Sequence, residues 1–484
     1  MKPVSEAPGA TNAFAWSLLN TALSRLGTLA IGILLARLLG PESFGTFAIA
    51  LVALMAILSF NELGVSLAIV RWPGDPREIA PTVNTISVAG SAVFCCGAFF
   101  AAPLFTAAMG DPEATDVIRV LIASVFINGI VASPAALLQR GFREKTRLGI
   151  DQVNVWIGAI LSVLLALAGM GAMALAVGRV AGSLISGAVF LAASPLPYRF
   201  GLDRSLVGPL LRFGMPLAGT SLIFFAVSYA DQLTVGTILG STALGFYALA
   251  FNLSSWPVSI VAQPLRRVAP ASFSALQHDR AAMNATLTSI ITLLGSGALP
   301  PVFFLVGSAV PLVTFIYGHA WLPAASALSW LAVAAISKVF CDLAYDFLVV
   351  LGKSGTVLMI QAASLLVLIP VLVAGASWFG LAGIAAAQAF VACCVVLPLY
   401  LWQLQKSGIR VQPLARKMLL PFVASVITGL LAWTAASMIP NTLLALVAGG
   451  VVALVVAAIL LRGRADQFRL LRTIGRTAPK EVPA

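Results

Sequence analysis

Charged side chains are scarce in this chain, and those inside its long apolar runs stand where a charge needs a reason. Arg25 falls near the middle of the first run. It belongs to a stripe of Ser17, Asn20, Thr21, Ser24, Arg25 and Thr28 that recurs at helical spacing. The second run carries Asn61 and Glu62. If the first run crosses the membrane one way and the second returns, Glu62 comes close in depth to Arg25 and the two can pair. Such a pair can simply lock two helices together. An arginine on a continuous polar stripe instead suggests a wet surface, where its fork of donors can meet an anionic group, and we favour that reading.

Two further groups invite the same question. Lys338, Asp342 and Asp346 follow one another at i, i+4 steps on one helix face. Lys338 and Asp342 can neutralise each other, yet three ionisable groups in one stripe exceed what anchoring requires, so cavity lining and self-neutralisation stand level. In SYADQLTVGTILG (228–240), Asp231 and Gln232 are candidates for binding a coupling ion, an interhelical hydrogen bond being the equal alternative. Arg37 and Arg179 lie nearer the outer face, where snorkelling accounts for them.

Catalytic patterns are missing. His278 and His319 have no Ser/Asp or metal-ligand partners at useful spacing, and no glycine pattern matches a nucleotide loop. Cys95, Cys96, Cys341, Cys393 and Cys394 all fall within apolar runs, which suits neither a disulfide framework nor zinc. We expect no catalytic set, no metal and no cofactor. Uphill work would then draw on an ion gradient, the membrane potential or the substrate's own gradient.

The elements that must position these residues are membrane helices. Of 484 residues 60% are apolar and 10% charged, with a mean hydropathy of +1.01. A helix needs ~20 apolar residues to cross the hydrocarbon core. About fourteen such runs are present, from 14–37 to 441–461. Lys and Arg gather in alternate loops, such as Arg140, Arg143, Lys145 and Arg147, while the AAMGDPEATD loop near residue 110 has none. That bias puts both termini in the cytoplasm. It also explains the net charge of +12 through topology and anionic lipid headgroups rather than nucleic acid.

One segment occurs twice. Residues 38–50 read LLGPESFGTFAIA and residues 238–250 read ILGSTALGFYALA, with five of thirteen positions identical. Each copy joins two apolar runs, so it is a helix–turn–helix corner used once per half. An offset of six helices is even, which makes the repeat parallel. The expected fold is an all-α polytopic membrane protein of two parallel-repeat six-helix lobes around a central cavity, plus two extra helices. The expected divisions are an N-terminal lobe over 1–206, a C-terminal lobe over 207–404, and the last two helices with a basic cytoplasmic tail over 405–484.

ARLLGPESFGTFAIALVALMAILSFNELGVSLAIVR (36–71), DQLTVGTILGSTALGFYALAFNLSSWPVSIVAQPLRRVAPASFSALQHD (231–279) and ALLQRGFREK (136–145) resemble corresponding segments of the Wzx-type polysaccharide flippases. These form a branch of the multidrug/oligosaccharidyl-lipid/polysaccharide exporter superfamily. The resemblance covers most of residues 14–404. It implies a bacterial inner-membrane protein that is not an enzyme. Its substrate would be a polyprenyl-diphosphate-linked oligosaccharide, turned to the outer face by alternating access for exopolysaccharide, capsule or O-antigen assembly. Membrane lipids, a polysaccharide polymerase and chain-length/export proteins would be its partners. On that reading Arg25 and Lys338 meet the diphosphate within a cavity lined by Asn20, Ser24, Thr28, Glu62 and Asp342.

Alternatives stay open. An ion-coupled multidrug antiporter of the same superfamily would use a carboxylate such as Asp231 as its proton site, usually on twelve helices. A lipid-linked peptidoglycan-precursor flippase also has fourteen. A membrane glycan polymerase or ligase would need a large outer loop bearing catalytic residues, and none is evident.

Overall fold

A computed structural model of the chain describes residues 10–61, 65–275, 280–409 and 411–464. Side chains are described for these except at 10–29, 60–61, 144, 216–217, 220, 263–268, 270–272, 274–275 and 280. The described chain is helical and contains no strand. In hydrocarbon a backbone must satisfy its polar groups internally, and long helices are how so apolar a sequence does it.

The chain divides into two compact units, one ending at Phe225 and the other beginning at Ala226. The first contains α1 (Ala10–Asn61), α2 (Val65–Arg71), α3 (Pro76–Ala108), α4 (Ala114–Arg140), α5 (Glu144–Leu167) and α6 (Ala172–Ala193). The boundary falls inside α7 (Arg204–Leu239). The second unit continues with α8 (Ser241–Ala275), α9 (Arg280–Gly307), α10 (Ala309–Tyr317) and α11 (Pro323–Val350). It ends with α12 (Ser354–Val391), α13 (Leu397–Lys406), α14 (Val411–Met438) and α15 (Thr442–Arg462). A π-helical turn, Ala392–Val396, joins α12 to α13.

Among the described residues twelve helical stretches are long and apolar enough to cross a membrane. The difference from fourteen separate runs lies in two stretches that each join two of them. Within α1, Gly40 breaks the helix with φ 70° and ψ 173° just before Pro41. Within Ser354–Lys406, Gly380 breaks it with φ 57° and ψ −135°. A straight helix would hold Gly375 and Gly383 ~12 Å apart. Instead a Cβ on Gly383 would collide with the Gly375 carbonyl oxygen, so the chain doubles back at Gly380.

The corners repeat more widely than the sequence does. Positive φ occurs at Gly40 and Gly240, at Gly110 and Gly318, at Phe142 and Gly352, and at Gly171 and Gly380. Each pair is 200 to 210 residues apart. Gly171 and Gly380 share nearly one conformation, with φ 56° and ψ −137° against φ 57° and ψ −135°. Only glycine adopts that region without strain. The α4–α5 and α11–α12 corners close with the same backbone bonds. Arg143 N–H donates to Leu138 O at 2.9 Å and Lys353 N–H to Leu348 O at 3.0 Å, the helix-ending pattern that a left-handed residue permits. Burial repeats as well: residues 35–40 and 235–240 run buried, buried, exposed, exposed, intermediate, intermediate.

The two units differ in what covers their third long helix. In α9, 72% of the apolar window is buried, against 11% in α3. α14 and α15 make the difference, since both pack on α9. A Cβ on Gly307 would collide with the Gly429 carbonyl, Phe303 meets Phe422 edge-on at 5.7 Å, and Phe304 lies against Gly449. Small residues are what allow membrane helices to approach this closely. Asn441 starts α15 as its cap, its Oδ1 accepting from the N–H groups of Leu443 and Leu444.

Candidate functional site

The second corner builds a buried polar pair. Asp231 lies two turns before the end of α7, Tyr247 near the start of α8, and they are 2% and 0% exposed. The Tyr247 hydroxyl donates to Asp231 Oδ2 at 2.8 Å, and the Gln232 backbone N–H donates to Asp231 Oδ1 at 2.8 Å. Both carboxylate oxygens are therefore held, as a buried carboxylate requires. Gln232 is itself 8% exposed.

One turn beyond Tyr247 on α8 stands Phe251. The Lys338 ammonium of α11 lies over its ring, 5.9 Å from the centroid. Lys338 is exposed and Asp342, one turn further along α11, is half-buried. Ser337, next to Lys338, faces the other way and meets Cys393 at 2.9 Å in the π-helical turn. Such turns are frequent at functional sites. Asp231, Tyr247, Phe251 and Lys338 thus come together from three helices of one unit.

The remaining candidates divide in two. The side chains of Asn20, Ser24, Arg25 and Thr28, and residue Glu62, lie outside the described part of the structure. Arg37 is exposed and Arg179 half-buried. Among the described residues no group of three His, Cys, Asp or Glu side chains is placed to hold a metal.

Several positions that matter carried no signal in the sequence reading. Arg140, at the end of α4, donates to the carbonyls of Ile69, Trp72 and Gly74, capping the end of α2 and the turn after it. Asn84 in α3 donates to Arg199 O at 2.8 Å, and Thr85 exchanges bonds with Gly201. Together they fasten the segment after α6. Asp203 then starts α7; the Ser205 hydroxyl and N–H both donate to its carboxylate and hold it below the usual carboxyl range. The two corners of each unit meet through different chemistry. Thr46 donates to Asp111 at 2.7 Å in the first, whereas Phe246 packs edge-on against Trp321 at 5.8 Å in the second. Tyr247 had one hint available: it stands where the first copy of the corner has Phe47.

Comparison with known proteins agrees with this architecture. A family model described as "Polysaccharide biosynthesis protein" matches residues 34–326. The succinoglycan biosynthesis transport protein ExoT of Rhizobium meliloti is 26% identical over 100% of this chain and 99% of its own. The lipopolysaccharide biosynthesis protein WzxC of Escherichia coli is 23% identical over 63% of this chain and 62% of its own. Among solved structures, the lipid II flippase MurJ in an inward closed conformation superposes with a TM-score of 0.76 at 13% identity. That match covers 92% of this chain and 99% of MurJ. An inward-facing multidrug transporter of the MATE family gives 0.61 at 18% identity, over 81% of this chain and 96% of its own. These two likenesses speak for the fold.

Proposed function

The chain belongs to the polysaccharide biosynthesis protein family, and from that membership we propose that it translocates lipid-linked oligosaccharide units across a membrane for polysaccharide assembly. The observation that carries this reading is the match to a succinoglycan transport protein over 100% of this chain and 99% of its own. Sugar and phosphate cannot cross hydrocarbon unaided, so a protein of this architecture serves by giving them a polar route while the lipid stays in the bilayer.

The finer reading is as follows. The membrane is the bacterial inner membrane, both termini are cytoplasmic, and fourteen crossings result if the chain reverses at Gly40 as it does at Gly380. The substrate is a polyprenyl-diphosphate-linked oligosaccharide carried by alternating access. Arg25, Lys338, Asn20, Ser24, Thr28, Glu62 and Asp342 line its path, with the two cations meeting the diphosphate. Asp231 and Gln232 are the candidates for a coupling ion. A polymerase and chain-length or export proteins receive the product.

Deletion of the gene tests this. The mutant should accumulate complete lipid-linked repeat units on the inner leaflet and lose the polymer, with both effects reversed by the wild-type gene. Unaltered lipid-linked sugars in the deletion strain would sink the proposal and favour an antiporter of small molecules.

A further inference from the structure

The stretch from the π-helical turn into α13 carries an open groove. Pro398 has no N–H to give the Cys394 carbonyl one turn before it. The backbone widens there, and the Leu397 N–H reaches back five residues to Ala392 O. Cys394, Val395, Pro398, Leu399 and Trp402 line a groove of about 460 Å³ on the face this creates. Cys394, Pro398 and Trp402 are exposed. One turn beyond the groove, the Lys406 ammonium rests on the Trp402 ring, 3.5 Å from its centroid. Among the described residues no carboxylate pairs with Lys406, so its charge is left for another partner. A second cation is fastened beside it, since Lys353 Nζ donates to the hydroxyl of Ser407 at 2.9 Å.

The order of these groups along the helix matters. An apolar floor comes first, then an indole ring with an N–H to donate, then an uncompensated ammonium. From Cys394 to Lys406 is about 18 Å at the rise of an α-helix. That is close to half of a hydrocarbon core ~30 Å thick, and so to the depth of one leaflet. A leaflet phospholipid presents the complementary order: an acyl chain, an interfacial region rich in acceptors, and a phosphate. Trp and Lys are the side chains that settle at that interface, each with an apolar body and a polar tip.

We propose that this groove is a binding site for an anionic phospholipid, one acyl chain lying over Cys394, Pro398 and Leu399 and the phosphate meeting Lys406 and the Trp402 N–H. It shares no residue with the substrate path proposed above. Its reach favours a phospholipid over the carrier of that substrate, because a polyprenyl chain is longer than one leaflet is thick. Lys406, with Lys353 behind it, selects an anionic headgroup over a zwitterionic one. A seated lipid also braces the widened turn, whose other side, at Cys393, meets Ser337 of α11 at 2.9 Å.

Cys394 reports on the site directly. The purified full-length protein in detergent is treated with N-ethylmaleimide, and modification of each cysteine is followed by peptide mass mapping. Phosphatidylglycerol or phosphatidylcholine with identical chains is titrated in. Phosphatidylglycerol should protect Cys394 at about 5-fold lower concentration than phosphatidylcholine, the advantage of one lysine facing an anionic headgroup. Cys96, exposed in the first unit, should show no difference between the two lipids. Lys406→Gln should abolish the preference at Cys394. The proposal is overturned if phosphatidylcholine protects Cys394 as well as phosphatidylglycerol does, or if Lys406→Gln keeps the preference. Displacement of phosphatidylglycerol by an equal concentration of undecaprenyl phosphate would also overturn it, by giving the groove to the isoprenoid carrier.

Discussion

Asn84 and Asn284, 200 residues apart in the chain, make the same hydrogen bond in their two units. Each donates its side-chain N–H to a backbone carbonyl of the segment that follows a unit's hairpin: Arg199 at 2.8 Å after α6, and Gly408 at 3.2 Å after α13. The third long helix of each unit thus fastens the segment that follows a hairpin of the same unit. The bond is part of the duplicated scaffold, although the residues around the two asparagines differ.

Loss of the first clamp should loosen the segment it holds. Asn84 is 3% exposed, and its partner carbonyl would lose its donor on truncation, at a cost of about 1–3 kcal/mol. In Asn84→Ala, limited trypsin digestion in detergent should cut faster at Arg199 or Arg204 than in the wild type. Equal rates of cleavage would show that Thr85, together with Thr82, whose hydroxyl accepts from the Asp203 N–H at 3.1 Å, holds the segment without it.

The hairpin at Gly380 gives a sharper contrast. A Cβ on Gly383 would collide with the Gly375 carbonyl, which cannot move without parting the two helices, whereas a Cβ on Gly355 meets nothing within 4 Å. Gly383→Ala should therefore lower the midpoint of thermal unfolding in detergent by several degrees, and Gly355→Ala should leave it unchanged. Equal midpoints would mean that the two helices separate more easily than their contact suggests.

Phe142 and Gly352 occupy equivalent corners, and only one is a residue suited to the conformation. Phe142 has φ 53° and is 92% exposed, so its side chain offers little packing in return for the strain. Phe142→Gly should stabilise the protein by about 1 kcal/mol, and Gly352→Ala should destabilise it by a similar amount. Thermal midpoints of both variants check the pair, and a destabilised Phe142→Gly would show that the ring has a partner of its own, such as the lipid surface.

What was legible in the sequence depended on what kind of signal each feature leaves. The corner at Gly40 and Gly240 was readable because identical residues surround it. The corners at Gly110 and Gly318, Phe142 and Gly352, and Gly171 and Gly380 share a backbone conformation and hydrogen-bond pattern but little sequence, so only coordinates pair them. The apolar runs marked the helices well. Asp231 stood out as a charge at membrane depth. Its partner Tyr247 did not, because the two meet across a corner rather than along one helix face. The i, i+4 spacing of Lys338 and Asp342 drew attention to that stripe, whereas the ring that receives the ammonium, Phe251, belongs to a neighbouring helix. Asn84 and Arg140 bond to backbone carbonyls, which leave no trace in a residue pattern.

Arg25 is one of the two cations assigned to the diphosphate in the proposed substrate path. Arg25→Ala is expected to reduce polymer output in a complemented deletion strain at least 10-fold, while the protein remains inserted at wild-type abundance. Normal output from a well-expressed variant would remove Arg25 from the substrate path.

The central claim is translocation itself, and a reconstituted assay addresses it most directly. Lipid-linked oligosaccharide, labelled on its sugar, is placed in both leaflets of liposomes with and without the purified protein. A membrane-impermeant reagent then destroys whatever is accessible from outside. The account predicts that only the outer half is lost in protein-free liposomes, and that nearly all is lost over minutes when the protein is present. Protection of the inner half in proteoliposomes, with the protein folded and inserted, would contradict it.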